Sequence, residues 1–197
     1  MEEKIRVGIS SCLLGNRVRY DGGHQQDCYI TGTLGRFLEF VPVCPEVECG
    51  LGVPRETMRL VGDPRHPRLM TTVTGIDHTE KMLSWAAKKV RELEREELCG
   101  FIFKSRSPSS GMERVKVYLD GKRAEKRGVG LFARAFMEHF PLVPAEEDGR
   151  LHDLHRRENF IGRIFVYQRW RELRRTGKSP GWPGGFSSPS PDAHSLK

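Results

Sequence analysis

Residues 4–10, KIRVGIS, run directly into 11–15, SCLLG, and the reading of the whole chain starts there. A short apolar run that ends in a turn reads as a strand buried inside a sheet, with a loop at its carboxyl end. The same order of events recurs downstream. EFVPVC (39–44) reads as a second strand, stopped by Pro45, and Cys44 is biased toward extended backbone because a proline follows it. CGFIFKS (99–105) reads as a third strand, followed by the turn RSPSSGM (106–112). Helical patterns lie between the strands. ITGTLGRFLEF (30–40) suits a short helix. GIDHTEKMLSWAAKKVRELEREE (75–97) is the clearest one, with Met82, Leu83, Ala86, Ala87, Val90 and Leu93 on one face. Asp77 followed by Glu80 has the form of a capping box at its start. GVGLFARAFMEHF (128–140) predicts another helix and PLVPAEE (141–147) a short strand. Strands alternating with helices predict an α/β fold: a mostly parallel, Rossmann-like sheet flanked by helices, with a C-terminal helix after it. Ligands of such sheets gather outside the carboxyl ends of the strands. Cys12, Cys44 and the SPSSG turn (107–111) each follow a predicted strand, so the three loops can meet at one edge of the sheet.

The totals agree with a compact domain and an appendage. The chain has 197 residues, 37% hydrophobic and 30% charged. No apolar run approaches the roughly 20 residues that span a bilayer. The stretch MEEKIRVGISSCLLG is acidic ahead of its apolar run and lacks the basic segment that opens a signal peptide, which predicts a cytoplasmic protein. Five cysteines at uneven spacing (12, 28, 44, 49 and 99) suit a reducing compartment, where thiols are buried, catalytic or metal-bound. There is no CxxC, which argues against a zinc knuckle or a thioredoxin-like pair.

Net charge is +7, and it is unevenly placed. Residues 150–178 carry nine Lys/Arg against Asp153, Glu158 and Glu172, a net of +6, while 179–197 are neutral. The first 149 residues therefore hold about +1. A basic segment after a near-neutral body suits a polyanion such as RNA, or else a solvated arginine-rich helix face. Residues 151–176 read as a long helix whose apolar residues, among them Phe160, Ile164, Phe165, Val166 and Trp170, cover more than one stripe. A helix on a single core shows a narrower face, which predicts a second contact surface. The expected organisation is an α/β domain over 1–149, a basic helix over 150–176 that leads toward a truncated second domain, and a Gly/Pro/Ser-rich disordered tail over 177–197.

The stretch PVCPEVECGLG (42–52) sets Cys44 and Cys49 on either side of Glu46 and Glu48. Thiolates suit soft metals and iron–sulfur clusters, whereas a lone cysteine at a strand end is most often a small buried hydrophobe. Spacing alone leaves both readings open.

Several motifs in order, SSCLLGNRVRYDGGH, VPVCPEVECGLGVPR, GDPRHPRLMTTVTG, FIFKSRSPSSGMERVKVY and ENFIGRIFVYQRW, resemble the thiouracil and 4-thiouridine desulfidase family from about residue 4 to about residue 175. The resemblance implies a [4Fe-4S] cluster held by three cysteines, with the fourth iron open to the sulfur of the substrate. Two ligand positions match at Cys12 and Cys44. The third falls in a turn that reads SPSCG in the family and SPSSG here, so Ser110 stands at the ligand position. Three outcomes follow: Ser110 ligates iron as an alkoxide, Cys49 substitutes as the third thiolate, or the cluster is labile or lost. Cys28 and Cys99 match no ligand position. Glu46 matches the family's essential glutamate, which implies general acid/base work, and Ser107 matches its active-site serine, which implies that its hydroxyl orients the base or the water. The implied reaction removes sulfur from 4-thiouracil or from 4-thiouridine, with tRNA favoured as its carrier by the basic segment. The longer family members continue into a helical second domain, and LHDLHRRENFIGRIFVYQRWREL (151–173) resembles the junction into it. The alternative is a catalytically inactive module that binds RNA or a thiobase. Asp21 reads as a turn residue before glycine, His152 and His155 as surface residues, and GVGLFA (128–133) lacks the dinucleotide fingerprint.

Overall fold

The structure, a computed structural model, describes residues 4–119 and 123–177. All but the first residue of the expected disordered tail lies outside the described residues. In chain order the elements are β1 (Ile5–Ser10), α1 (Cys28–Gly32), β2 (Leu38–Val43), α2 (Pro45–Glu48), β3 (Met58–Val61), β4 (Arg68–Thr71), α3 (Thr79–Glu94), β5 (Gly100–Phe103), β6 (Val115–Tyr118), β7 (Ala124–Gly128), α4 (Leu131–His139), β8 (Ala145–Glu147) and α5 (Leu154–Thr176).

The first sheet is parallel throughout, in the order β2-β1-β5-β8. Its two faces are both covered, as a parallel sheet requires. Ile5, Val7 and Ile9 of β1 and Ile102 of β5 point to one side, where α1 contributes Ile30 and α5 contributes Phe160 and Ile164. Phe101 and Phe103 point to the other, against Ala86, Val90 and Leu93 of α3 and Phe132 and Phe136 of α4. Gly8 lies beneath Phe101, where an added Cβ would sit 2.3 Å from the ring, so the close stacking of β1 on β5 needs the absent side chain. The chain leaves β1 for β2 on one side and returns past it to β5 on the other. That reversal places the loops after β1 and β5 at the switch point where open α/β sheets bind ligands.

A second four-stranded sheet, β4-β3-β6-β7, was not foreseen in the sequence. Its inner face packs Leu60, Leu69, Val115 and Val117 against Met82 and Leu131. Each strand has four or five residues, and exposed or half-exposed Arg59, Lys116 and Lys126 interrupt β3, β6 and β7. Runs this short and this charged carry too little periodicity to be read as strands.

Three other expectations change. The helix predicted over 30–40 stops at Gly32 and is followed by a 3-10 turn at Leu34–Arg36, after which Leu38–Val43 pair residue by residue with Ile5–Ser10. On α3, Met82, Ala86, Val90 and Leu93 are buried, while Leu83 and Ala87 face solvent. The capping box is not formed either. Helix α3 begins at Thr79, and Asp77 Oδ1 accepts the Thr79 amide at 2.9 Å and its hydroxyl at 2.5 Å, while Asp77 Oδ2 takes Arg68 at 2.6 Å. On α5, Phe160 and Ile164 enter the core and Phe165, Val166 and Trp170 remain exposed, which accounts for its wide apolar pattern. Among the described residues no helix is long and apolar enough to cross a membrane.

The Asp77 network has a pH signature. Above all the Thr79 hydroxyl, then the Thr79 amide and the Arg68 guanidinium, hold the Asp77 carboxyl down at about 2 against the opposing effect of burial. A group whose folded pKa is depressed contributes stability above its unfolded value, near 3.9, and loses it as pH falls through the folded one. Asp77→Asn is therefore expected to flatten the loss of stability between about pH 4 and pH 2. Urea midpoints of both proteins across that interval check it; parallel curves would show that the network adds nothing to folding.

Candidate active site

At the carboxyl edge of the parallel sheet lies a cleft of about 590 Å³. Cys12 reaches it from the turn after β1, Cys44 and Glu46 from the β2–α2 junction, Ser107 and Ser110 from the turn after β5, and Asp148 from the segment after β8. Arg55 and Lys104 complete the wall.

Local sequence explains each position. Cys12 sits in a single 3-10 turn, Ser11–Leu14, anchored by buried Leu13 and closed by Gly15, whose φ of 93° is open to glycine. Cys44 is the N-cap of α2, and Pro45 occupies the first helical position, where its missing N–H costs nothing. The Cys44 amide donates to Glu48 Oε1 at 2.8 Å, and Glu48 Oε2 pairs with Lys89 of α3 at 2.8 Å. Glu48 thus clamps the cysteine-bearing turn to a core helix. The serine turn is folded on its own hydroxyl: Ser107 Oγ accepts the amides of Ser109 at 3.3 Å and Ser110 at 3.1 Å. Helix α4 begins against it. The Gly130 amide donates to Gly111 O at 2.7 Å, and a Cβ at Gly130 would stand 2.5 Å from the Ser109 carbonyl carbon. Only glycine lets the helix start pass this close.

Glu46 is the centre of the polar contacts. Its Oε1 accepts the Ser109 hydroxyl in a short hydrogen bond and the Ser107 hydroxyl at 3.5 Å; Ser107 and Ser109 are themselves 3.0 Å apart. Its Oε2 lies 3.6 Å from Cys44 Sγ and 4.0 Å from an Arg55 nitrogen, and Arg55 is tied to Val18 O at 3.0 Å. Beneath the cleft Lys104 pairs with Asp148 at 2.5 Å, and Asp148 Oδ1 accepts the Ser105 amide at 2.7 Å. Burial alone would raise the Asp148 carboxyl; the Lys104 ammonium and the Ser105 amide outweigh it and hold it below the usual range. Both thiols are pushed up. Burial, with the Glu46 carboxylate adding to it, raises Cys12 to about 11 against the pull of Lys104, and raises Cys44 to about 12 against that of the Val47 amide. At these values both thiols favour the neutral form at neutral pH.

The structure brings Cys12, Cys44, Ser110, Glu46 and Ser107 to one cleft. It keeps the other thiols apart. Cys49 is buried among Leu60, Leu69 and Met82, donates to Glu46 O at 3.3 Å and is not on the cleft wall. Cys28 is exposed at the start of α1, and Cys99 is buried in the core beside Arg171. Among the described residues no three His, Cys, Asp or Glu side chains form a metal-binding group, and beside the two thiols Ser110 lines the same cleft. Ser110 is 3% exposed, lines the cleft, and its hydroxyl has no hydrogen-bond partner among the described residues. Two thiols and an unengaged hydroxyl fit a three-point holder for a thiophilic cluster. The oxygen corner is the weak one, being harder and far less acidic than a thiol.

Four residues of this site had no role in the sequence reading. Ser109 lies inside the quoted SPSSG turn, yet which of three neighbouring serines meets Glu46 depends on the fold of that turn. Arg55 and Lys104 fall inside two of the quoted motifs and Asp148 outside them, but nothing local assigns any of the three to the site, and sheet packing assembles them.

The sequence profile of the 2-thiouracil desulfurases matches residues 7–148. A stretch of 108 residues is 32% identical to an uncharacterized protein of Bacillus subtilis (strain 168), YbbK, and covers 52% of this chain and 71% of that protein. Among solved structures, the [4Fe-4S]-dependent thiouracil desulfidase TudS superposes with a TM-score of 0.58 at 27% identity, covering 78% of this chain and 96% of that one.

Proposed function

The chain belongs to the 2-thiouracil desulfurase family, and on that premise we propose that it removes sulfur from a thiolated pyrimidine by iron–sulfur-dependent hydrolysis. The observation that carries this reading is the convergence of Cys12, Cys44 and Ser110 with Glu46 on one cleft. Those three side chains would hold a [4Fe-4S] cluster. When bound, such a cluster supplies a Lewis-acidic iron that accepts sulfur as it departs.

The protein's own groups do the rest. The overall change is C4=S plus water to C4=O plus hydrogen sulfide, with no net electron transfer. Glu46 takes a proton from the water that attacks C4 and returns one to the leaving sulfide. The Ser109 hydroxyl and Arg55 orient that carboxylate, and the Ser107 hydroxyl both braces the serine turn and reaches toward the same oxygen. The Lys104–Asp148 pair keeps the base of the cleft polar and rigid.

The finer reading is 4-thiouracil or 4-thiouridine as substrate, the latter carried by tRNA, supported by the net charge of +7. Five unpaired thiols suit the cytoplasm. The exposed Phe165–Val166–Trp170 face of α5 is the surface on which a helical second domain or a partner would dock. A second reading, an inactive module that binds RNA or a thiobase, is favoured by one specific observation, the hydroxyl at position 110. Anaerobic reconstitution with iron and sulfide, followed by sulfide release from 4-thiouracil and from thiolated tRNA, separates the two. Release from either substrate is expected. An iron-loaded chain that releases sulfide from neither would overturn the desulfidase reading.

A further inference from the structure

A second cavity, of about 810 Å³, adjoins the cleft and shares Met58, Ser105, Arg106, Pro108 and Gly149 with it. Its wall is strongly basic. Strand pairing sets Leu60 opposite Val117 and Lys116 opposite Lys126, so Arg59, Lys116 and Lys126 fall in one row across β3, β6 and β7. Like charges directly opposite on neighbouring strands repel, and this row places three together. Arg106 and Arg114 line the same cavity from backbones at φ 62° and 55°, a conformation that costs a non-glycine residue energy and recurs at functional sites.

Carboxylates compensate this charge only in part, since Glu147 lines the same wall without an ion-pair partner among the described residues. None of these five side chains has an ion-pair partner among the described residues, whereas Glu113 is taken by Arg150 at 2.5 Å, and Glu147 accepts the Met112 amide. Arg59 lies over the Tyr118 ring at 5.1 Å, with a buried Nε that has no hydrogen-bond partner among the described residues. Strands about 4.8 Å apart spread the row over roughly 10 Å, more than a single phosphate occupies.

We propose that this face of the second sheet is a phosphate-binding track, which holds the sugar-phosphate backbone beside a pyrimidine seated in the cleft. The ligand chemistry is the phosphate ester, and the row favours a single-stranded polyribonucleotide over a mononucleotide. The proposal rests on the desulfidase reading for what occupies the cleft. It also moves the nucleic-acid surface from the basic helix α5, where linear charge density points, to the sheet of the α/β domain.

The test needs neither cluster nor sulfur chemistry, so its failure is separate from that of the desulfidase reading. The full chain, its Lys116→Gln/Lys126→Gln variant and an Arg174→Gln/Arg175→Gln control on α5 are titrated with a fluorescent oligouridylate, and with uridine 5′-monophosphate by NMR, across a range of salt. The sheet variant is expected to bind the oligonucleotide about tenfold more weakly, with a salt slope shallower by about 1.4, at roughly 0.7 for each single-strand phosphate that is no longer neutralised. Unchanged melting temperatures establish that the variants are folded. Sheet-dependent binding of the mononucleotide alone assigns the track to a phosphate monoester. Binding that the sheet variant leaves unchanged, binding abolished only in the α5 control, or no binding of either probe overturns the proposal.

Discussion

Replacing Glu46 with glutamine is expected to lower sulfide release by about two to four orders of magnitude, the usual contribution of a positioned general acid/base. The substitution keeps shape and an acceptor oxygen. Ser109, Ser107 and Arg55 all retain something to contact, so folding and iron content should stay near those of the parent. What is lost is the ability to take a proton from water and return it to the leaving sulfide. Rate, iron content and melting temperature of E46Q measured together make the result unambiguous. A variant that loads iron, melts normally and still releases sulfide at the parental rate would remove Glu46 from the mechanism. Ser109→Ala provides a companion. It deletes the short hydrogen bond but leaves the carboxylate, so it should cost far less than E46Q.

Ser110→Cys is expected to give the largest change in cofactor content. It converts a donor set of two thiols and a hydroxyl into three thiols at a position 3% exposed and facing the cleft. A thiol ionises far more readily than an alcohol and matches iron in softness. After anaerobic reconstitution and desalting, iron and acid-labile sulfide per chain should rise several-fold over the parent, toward a complete cluster. Survival of the bound iron in air should lengthen in parallel. Equal iron in both chains would mean that position 110 takes no part in holding metal. Cys49→Ser tests the other candidate donor. Cys49 lies among Leu60, Leu69 and Met82, away from the cleft wall, so this substitution should weaken packing without altering iron content.

Much of this architecture is legible in the linear chain because β1 and β5, its central strands, are almost wholly buried. KIRVGIS, EFVPVC and CGFIFKS are apolar runs ended by turns, and each matches a strand of the parallel sheet to within one or two residues. The second sheet is not legible, since polar residues interrupt every strand in it and the strands are four or five residues long. The 30–40 segment shows the same limit from the other side. Its local preference for helix survives past Gly32 only as a 3-10 turn at Leu34–Arg36, and from Leu38 the chain joins the ladder with β1.

The candidate site divides along the same line. That Cys12, Cys44 and the serine turn each follow a strand is a property of the chain's order, and a parallel sheet turns that order into a shared edge. Order along the chain does not say which side chains touch. Glu46 and Ser109 are 63 residues apart, Lys104 and Asp148 are 44 apart, and each pair meets because β1 sits between β2 and β5, with β8 beyond. Pattern reports burial and backbone preference, which are local quantities. Contact depends on strand order and on the packing of α3 and α4 against the sheet, both of which are set by the free energy of the whole core. For the same reason a basic row formed by three separate strands escapes any count of charge along the chain, while the arginines of α5, neighbours in sequence, stand out at once.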